Sequence, residues 1–145
     1  MKEYKNHKVY NISYHIVWIP KYRKKILKDH IRSAAHSGRT FGRYCAPKRE
    51  RLIEILKECE NKIDIKIEVY EIMIDHIHLF IKGNLKTSVS EIVKILKGYS
   101  SYVLRKEFMC LKKYKSLWTH SYYCETIGHI SENTVKRYIE TQMDH

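Results

Sequence analysis

Three features of the 145-residue sequence predict an α+β fold. Some stretches alternate apolar and polar residues, others repeat apolar residues every three to four positions, and the two kinds follow one another in a telling order. The first stretch, Val9 to Trp18, sets Tyr10, Ile12, Tyr14, Ile16 and Trp18 against Asn11, Ser13 and His15. That is the period-2 signature of a half-buried strand, and Pro20 stops it. A basic loop, Lys21-Tyr22-Arg23-Lys24-Lys25, comes next. Residues 31–47 show no sustained period and hold Gly38, Gly42 and Pro47, which predicts loop for most of the segment.

From Lys48 the spacing changes. Leu52, Ile55, Leu56 and Cys59 fall at i, i+3, i+4 and i+7, so a helix is predicted there. A second strand is predicted over Lys62 to Tyr70, where Ile63, Ile65, Ile67 and Val69 alternate with Asp64, Lys66, Glu68 and Tyr70. A short turn through Ile74-Asp75 leads into a third strand, His76 to Ile81, and the close succession predicts an antiparallel hairpin. Ser88-Val89-Ser90-Glu91 is a capping box that opens a long helix to about Phe108, with Val89, Ile92, Val93, Leu96 and Val103 as its apolar stripe. Tyr122 to Ile127 reads as a last strand, Gly128 breaks it, and Ser131 can cap a terminal helix running toward Gln142. The order β-α-β-β-α-β is the ferredoxin-like or RRM-like split βαβ arrangement, in a single domain over 1–145 with helices on one sheet face. The other face is left for ligands, but the architecture hosts many functions and names none.

Composition narrows the partners. Lys and Arg number 28 against 16 Asp and Glu, a net charge of +12, and the pI is near 9.5. Such an excess is the footprint of a polyanion binder. Twelve tyrosines among these cations suit unstacked bases better than a closed duplex. Cys45, Cys59, Cys110 and Cys124 form no C-x-x-C pair or metal-finger spacing, so they read as reduced, small apolar residues. No apolar run approaches the ~18 residues of a membrane span. The N-terminus has no apolar segment behind its charges, and a soluble, cytoplasmic protein is expected.

Two constellations carry candidate chemistry. His76 and His78 stand two apart on a strand and project from one face, while Ile77, Leu79 and Ile81 project toward the helices. Two imidazoles so placed can bind one divalent ion, although two ordinary exposed histidines give the same pattern. On the terminal helix Tyr138 and Gln142 are i, i+4 neighbours beside an apolar stripe of Val135, Ile139 and Met143. By helix spacing alone, a tyrosine with a polar neighbour one turn on is usually a half-buried core residue. His15 projects to the polar side of its strand and is a candidate for supporting the histidine pair.

Together these residues resemble the single-tyrosine HUH transposases (TnpA-type) of small prokaryotic insertion sequences that move as single-stranded DNA. The matching pieces are Tyr14-His15-Ile16-Val17-Trp18-Ile19-Pro20-Lys21-Tyr22-Arg23, Asp75-His76-Ile77-His78-Leu79 and Val93-Lys94-Ile95-Leu96-Lys97-Gly98-Tyr99-Ser100-Ser101. Leu117-Trp118, Ser121-Tyr122-Tyr123 and Thr134 through Gln142 complete the series, in order, across nearly the whole chain. The resemblance implies that His76 and His78 are the HUH histidines and hold Mg²⁺ or Mn²⁺ with Gln142 as third ligand. It implies that Tyr138 is the nucleophile, forming a 5′-phosphotyrosine and freeing a 3′-OH. It further implies a homodimer with active sites shared between subunits, and recognition of DNA hairpins. Lys21, Arg23, Lys24, Lys94 and Lys97 are the candidates for contacts to the DNA backbone.

Three departures stand out. Ile74 occupies a position where the family often has proline, relatives often run longer past Gln142, and the stretch around 32–47 with Arg32, Arg39 and Arg43 looks inserted. A domesticated REP-associated tyrosine transposase would share the same residues. A non-catalytic RRM-like binder of single-stranded nucleic acid would not depend on Tyr138, and neither would a metal-dependent nuclease using water.

Overall fold

A computed structural model of the chain describes residues 3–5, 8–28 and 48–127. The stretch 31–47 and the terminal segment with Tyr138 and Gln142 lie outside the described residues. In chain order the strands are β1 (Glu3–Lys5), β2 (Lys8–Tyr10), β3 (Ser13–Trp18), β4 (Lys66–Ile72), β5 (Ile77–Lys82) and β6 (Tyr123–Thr126). Helix α1 (Lys48–Ile63) joins β3 to β4, and α2 (Val89–Glu107) joins β5 to β6.

β3 to β6 form one sheet in the order β4-β5-β3-β6, with every neighbouring pair antiparallel. Each helical connection therefore skips one strand, which is the split βαβ topology expected from the element order. Alternation delivers Ile16, Trp18, Ile77, Leu79 and Ile81 to one face, all essentially inaccessible to solvent. Leu52, Ile55, Leu56 and Cys59 of α1 and Ile92, Val93, Leu96 and Leu104 of α2 close over them. Burying each large aliphatic side chain is worth roughly 1.5–3 kcal/mol, so this layer holds the helices to one side of the sheet. Two polar devices tie its ends. Arg51 donates to both carboxylate oxygens of Glu107, each at 2.7 Å, joining α1 to the end of α2. The Ser88 hydroxyl accepts from the backbone N–H of Glu91 at 3.2 Å, as the capping box requires.

The limits of three strands and the side-chain parity of β4 differ from the sequence reading. The stretch Val9–Trp18 is two strands: β2 pairs with β1 in a separate two-stranded sheet, and only β3 enters the main one. The break falls at Asn11-Ile12, where the Ile12 carbonyl accepts from the N–H of Gly83 at 2.8 Å instead of continuing the ladder of β2 with β1. A Cβ on Gly83 would come within 2.8 Å of the Tyr14 ring, so glycine is required at this close approach.

The strand read from Lys62 begins at Lys66, because α1 runs on through Ile63 and Asp64 turns left-handed at φ 53°. The buried side chain of Asn84 donates to the carbonyls of Ile63 (2.9 Å) and Asp64 (3.0 Å), ending the helix there. β4 also carries an irregularity between Ile67 and Val69. An extra residue at a bulge reverses side-chain parity, so Val69 is exposed while Tyr70 and Ile72 turn to the helical side. The third strand, read as His76 to Ile81, runs from Ile77 to Lys82, and His76 lies just before it.

Among the described residues Cys59, Cys110 and Cys124 are free, and no helix is long and apolar enough to cross a membrane. Burial pushes the Cys59 thiol up to about 11. At pH 8 such a thiol is about one-thousandth thiolate, the form that reacts. Brief alkylation of the folded protein at pH 8, read by peptide mass spectrometry, will label exposed Cys110 and spare Cys59 until denaturant is added. Equal labelling of both would contradict the buried placement of Cys59.

Candidate metal centre and nucleic-acid interface

β5 lies in the sheet interior, hydrogen-bonded on both edges, and its parity is locked by the burial of Ile77, Leu79 and Ile81. His78 must therefore face away from the helices. His76 sits in the turn before β5, its carbonyl accepting from the N–H of Met73 at 2.9 Å, and reaches the same face. The two imidazoles are edge-to-face with ring centroids 5.0 Å apart.

Both rings are held by the same nitrogen. Nδ1 of His76 lies 2.8 Å from Oδ1 of Asp75, and Nδ1 of His78 lies 3.1 Å from Nε2 of His15. No described residue bonds to either Nε2. The hydrogen bond to His76, helped by the nearby Arg23 guanidinium, keeps the Asp75 carboxyl below its usual range. Asp75 is thus an ionised acceptor, which holds a proton on Nδ1 of His76 and leaves Nε2 on the opposite edge of the ring. For His78, partial burial and the neighbouring His76 and His15 lower the pKa and favour the neutral ring. Neutral imidazole is the form that ligates a metal.

A chain of contacts stands behind His78. His15 stacks on Phe80 at 4.6 Å with the planes 4° apart, which keeps its ring upright on the sheet. Its Nδ1 lies 3.7 Å from Glu125 Oε1, while Oε2 of Glu125 accepts from the Tyr123 hydroxyl at 2.8 Å, and that bond raises the Tyr123 pKa. One proton lies between Nε2 of His15 and Nδ1 of His78. Strand register explains the gathering: His15 is opposite both Phe80 and Glu125, and Val17 is opposite both His78 and Tyr123. Residues directly opposite share a face.

The donor set fits a divalent ion with open positions. Each of the two imidazoles is tied back through Nδ1, His76 by a carboxylate of the kind that orients metal-bound histidine and His78 by the imidazole of His15. Among the described residues no group of three or more His, Cys, Asp or Glu side chains is placed to hold an ion, so further positions are left to other donors.

The basic candidates fall in two places. Lys21, Arg23 and Lys24 lie on the exposed turn after β3, beside Lys25, and Arg23 donates to Oδ2 of Asp75 at 3.3 Å, which links the turn to the histidine pair. Lys94 is exposed on α2 and, with Lys97, Tyr102, Arg105 and Tyr122, lines a groove of about 380 Å³. The Lys97 ammonium is already engaged, donating to the carbonyls of Thr119 and, at 3.2 Å, Ser121, and desolvation lowers its pKa. Its contact with a phosphate would compete with these carbonyls. The candidate nucleophile Tyr138 and candidate ligand Gln142 lie outside the described residues.

Sequence reasoning missed Asp75, Phe80, Tyr123 and Glu125. Asp75 adjoins His76 and could have been read as its partner. Glu125 gave no local signal, since only the register of β6 against β3 brings it to His15.

The family profile described as IS200-like transposase matches residues 8–142. The chain is 34% identical over 143 residues to the transposase for insertion sequence element IS200 of Salmonella typhimurium, covering 95% of this chain and 81% of that protein. To the ISDra2 transposase TnpA of Deinococcus radiodurans it is 26% identical over 142 residues, covering 94% and 87%. Its fold resembles a crystal structure of a transposase from Deinococcus radiodurans, with a TM-score of 0.66 and 26% identity over 98% of both chains. A REP-associated tyrosine transposase bound to a REP hairpin shares the fold with a TM-score of 0.52 at 9% identity, over 95% of this chain and 68% of that one. With a match along nearly its whole length, the chain belongs to the IS200-like transposase family.

Proposed function

We propose that this transposase cleaves and rejoins single-stranded DNA at insertion-sequence ends, with Tyr138 as nucleophile and His76, His78 and Gln142 holding Mg²⁺ or Mn²⁺. The observation that carries the reading is the pair of outward Nε2 atoms, each ring tied back through Nδ1. When bound, the ion polarises the scissile phosphate and offsets the charge that builds on its oxygens. The phenol of Tyr138 loses its proton to water and attacks phosphorus. The bond from phosphorus to O3′ breaks and O3′ takes up a proton, leaving a 5′-phosphotyrosine and a free 3′-OH. Bond energy is retained in the adduct, so attack by a 3′-OH rejoins the strand without ATP.

Lys21, Arg23, Lys24 and Lys94 supply backbone contacts in this reading, with Lys97 joining them if it yields its carbonyl partners. A homodimer, in which the segment bearing Tyr138 completes the histidine pair of a second copy, follows from the family resemblance. So does hairpin recognition, which the hairpin-bound state of the REP-associated relative supports.

Incubating the protein with labelled single-stranded hairpin DNA that carries the element ends, with Mg²⁺ or with EDTA, tests this on a denaturing gel. The expected result is a protein–DNA band that resists denaturation, requires the metal and disappears in Tyr138→Phe. Cleavage that survives Tyr138→Phe without an adduct would instead identify water as the nucleophile. Binding without cleavage of the true ends would leave a binding module. In the same series, log affinity should fall with log salt by about 0.7 per phosphate contacted.

A further inference from the structure

The turn after β3 holds a combination that transposase chemistry at the histidine pair does not explain. Tyr22 and Arg23 both adopt left-handed backbone, at φ 62° and 50°. A bulky side chain is disfavoured there, and such outliers persist where surrounding structure enforces them. The enforcement is visible: the N–H of Lys21 donates to Leu117 O at 2.8 Å, the N–H of Thr119 donates to Ile19 O at 3.0 Å, and Pro20 bridges to Trp118. Yet the Tyr22 ring gains no burial in return, being 79% exposed. Glycine would take this conformation without strain, so packing gives no reason for an aromatic residue.

What surrounds the ring suggests its use. The ammonium groups of Lys21 and Lys24 lie 5.6 and 5.8 Å from the Tyr22 centroid. Lys24 also lies 4.8 Å from the ring of Tyr114, and Lys113 lies 5.3 Å from that same ring. The two tyrosines and these lysines line one recess of about 230 Å³. On the other side of the turn, Arg23 reaches Asp75 and through it His76. An aromatic face with several cations within reach, and no anion among the described residues that line the recess, has the makeup of a stacking platform for an unpaired nucleotide.

We infer that Tyr22 is a base-stacking platform, and that the recess between Tyr22 and Tyr114 receives one unpaired nucleotide of the DNA strand led toward the histidine pair. The base lies on Tyr22, and Lys24 and Lys113 exchange their ring contacts for its phosphate. The inference rests on the single-strand reading above.

Fluorescence anisotropy with a labelled 12-nucleotide oligothymidylate and the full chain tests it, at several salt concentrations. Tyr22→Ala should weaken binding about 5- to 50-fold with the salt slope unchanged, because stacking is lost and no phosphate contact is. Tyr22→Phe should bind within about twofold of the parent. Lys24→Ala should lower the slope by about 0.7. Tyr22→Gly separates this role from folding: relief of the left-handed strain keeps the melting temperature at or above that of the parent, while binding falls as in Tyr22→Ala. Parent-like binding by Tyr22→Ala or Tyr22→Gly overturns the platform and leaves the single-strand reading standing. Failure of the parent itself to bind the oligonucleotide also overturns the platform, while the single-strand reading stands or falls with the hairpin cleavage assay.

Discussion

Replacing His76 by alanine is expected to abolish metal-dependent strand cleavage while hairpin binding stays within about twofold. Loss of a mere outer partner of a metal ligand typically costs about 10–100-fold in affinity or activity, so loss of a ligand itself should exceed a hundredfold. Affinity for DNA has a different source. It comes from cations that neutralise phosphates, and the candidates for that work lie on the turn after β3 and on α2. The substitution is also structurally mild, since His76 precedes β5 and contributes its carbonyl, not its ring, to the turn hydrogen bond with Met73. Single-turnover cleavage, a gel-shift assay and Mn²⁺ binding by electron paramagnetic resonance together read the outcome. Parallel loss of DNA binding and melting temperature would make His76 a structural residue and remove the basis for the metal centre.

Trp18→Ala should destabilise the fold by about 3–5 kcal/mol, the usual range for deleting a large aromatic side chain from a core. Trp18 is 1% exposed and meets the Trp118 ring edge-to-face at 6.0 Å. It stands opposite Ile77 in the β3–β5 ladder, next to the residues that carry the histidines. Trp118 is itself anchored, its indole N–H donating to the Ser100 hydroxyl at 3.0 Å, so the surroundings cannot collapse freely onto the vacated space. For a domain of this size the loss corresponds to a fall of roughly 10–15 °C in melting temperature. Circular dichroism on heating measures it, and a shift below about 3 °C would show that the ring is not a core element.

Legibility followed locality. The capping serine of α2, the stripe Leu52, Ile55, Leu56 and Cys59, and the alternation of β5 are short-range patterns, and each produced the element it announced. The shared outward side of His15 and His78 was also legible, because strand parity needs only a strand, whereas His76 reaches that side from the turn before β5. What escaped depends on partners distant in sequence. Asn84 ends α1 from twenty residues away, so Ile63 continued a helix although it also fitted a strand pattern. The irregularity in β4 shows only against β5, and it turned Val69 outward where simple alternation had it matched with Ile67. Asn11 and Ile12 fitted the alternation perfectly, but ladder pairing divides there between two sheets. At the site, the backing of His78 by Glu125 needed the register of β6.

The placement of the two histidines relative to the sheet also determines how the centre breathes. Amide protons of β5 are engaged in a strand with neighbours on both sides, so they should exchange with solvent only when the whole domain opens. β6, four residues at the sheet edge, can fray alone, and it carries Tyr123 and Glu125. His78, on the protected strand, thus sits against a support that frays more easily. Thermal motion below the melting transition will loosen the tether on His15 long before it moves His78 out of β5, so the ring should keep its place while its orientation softens.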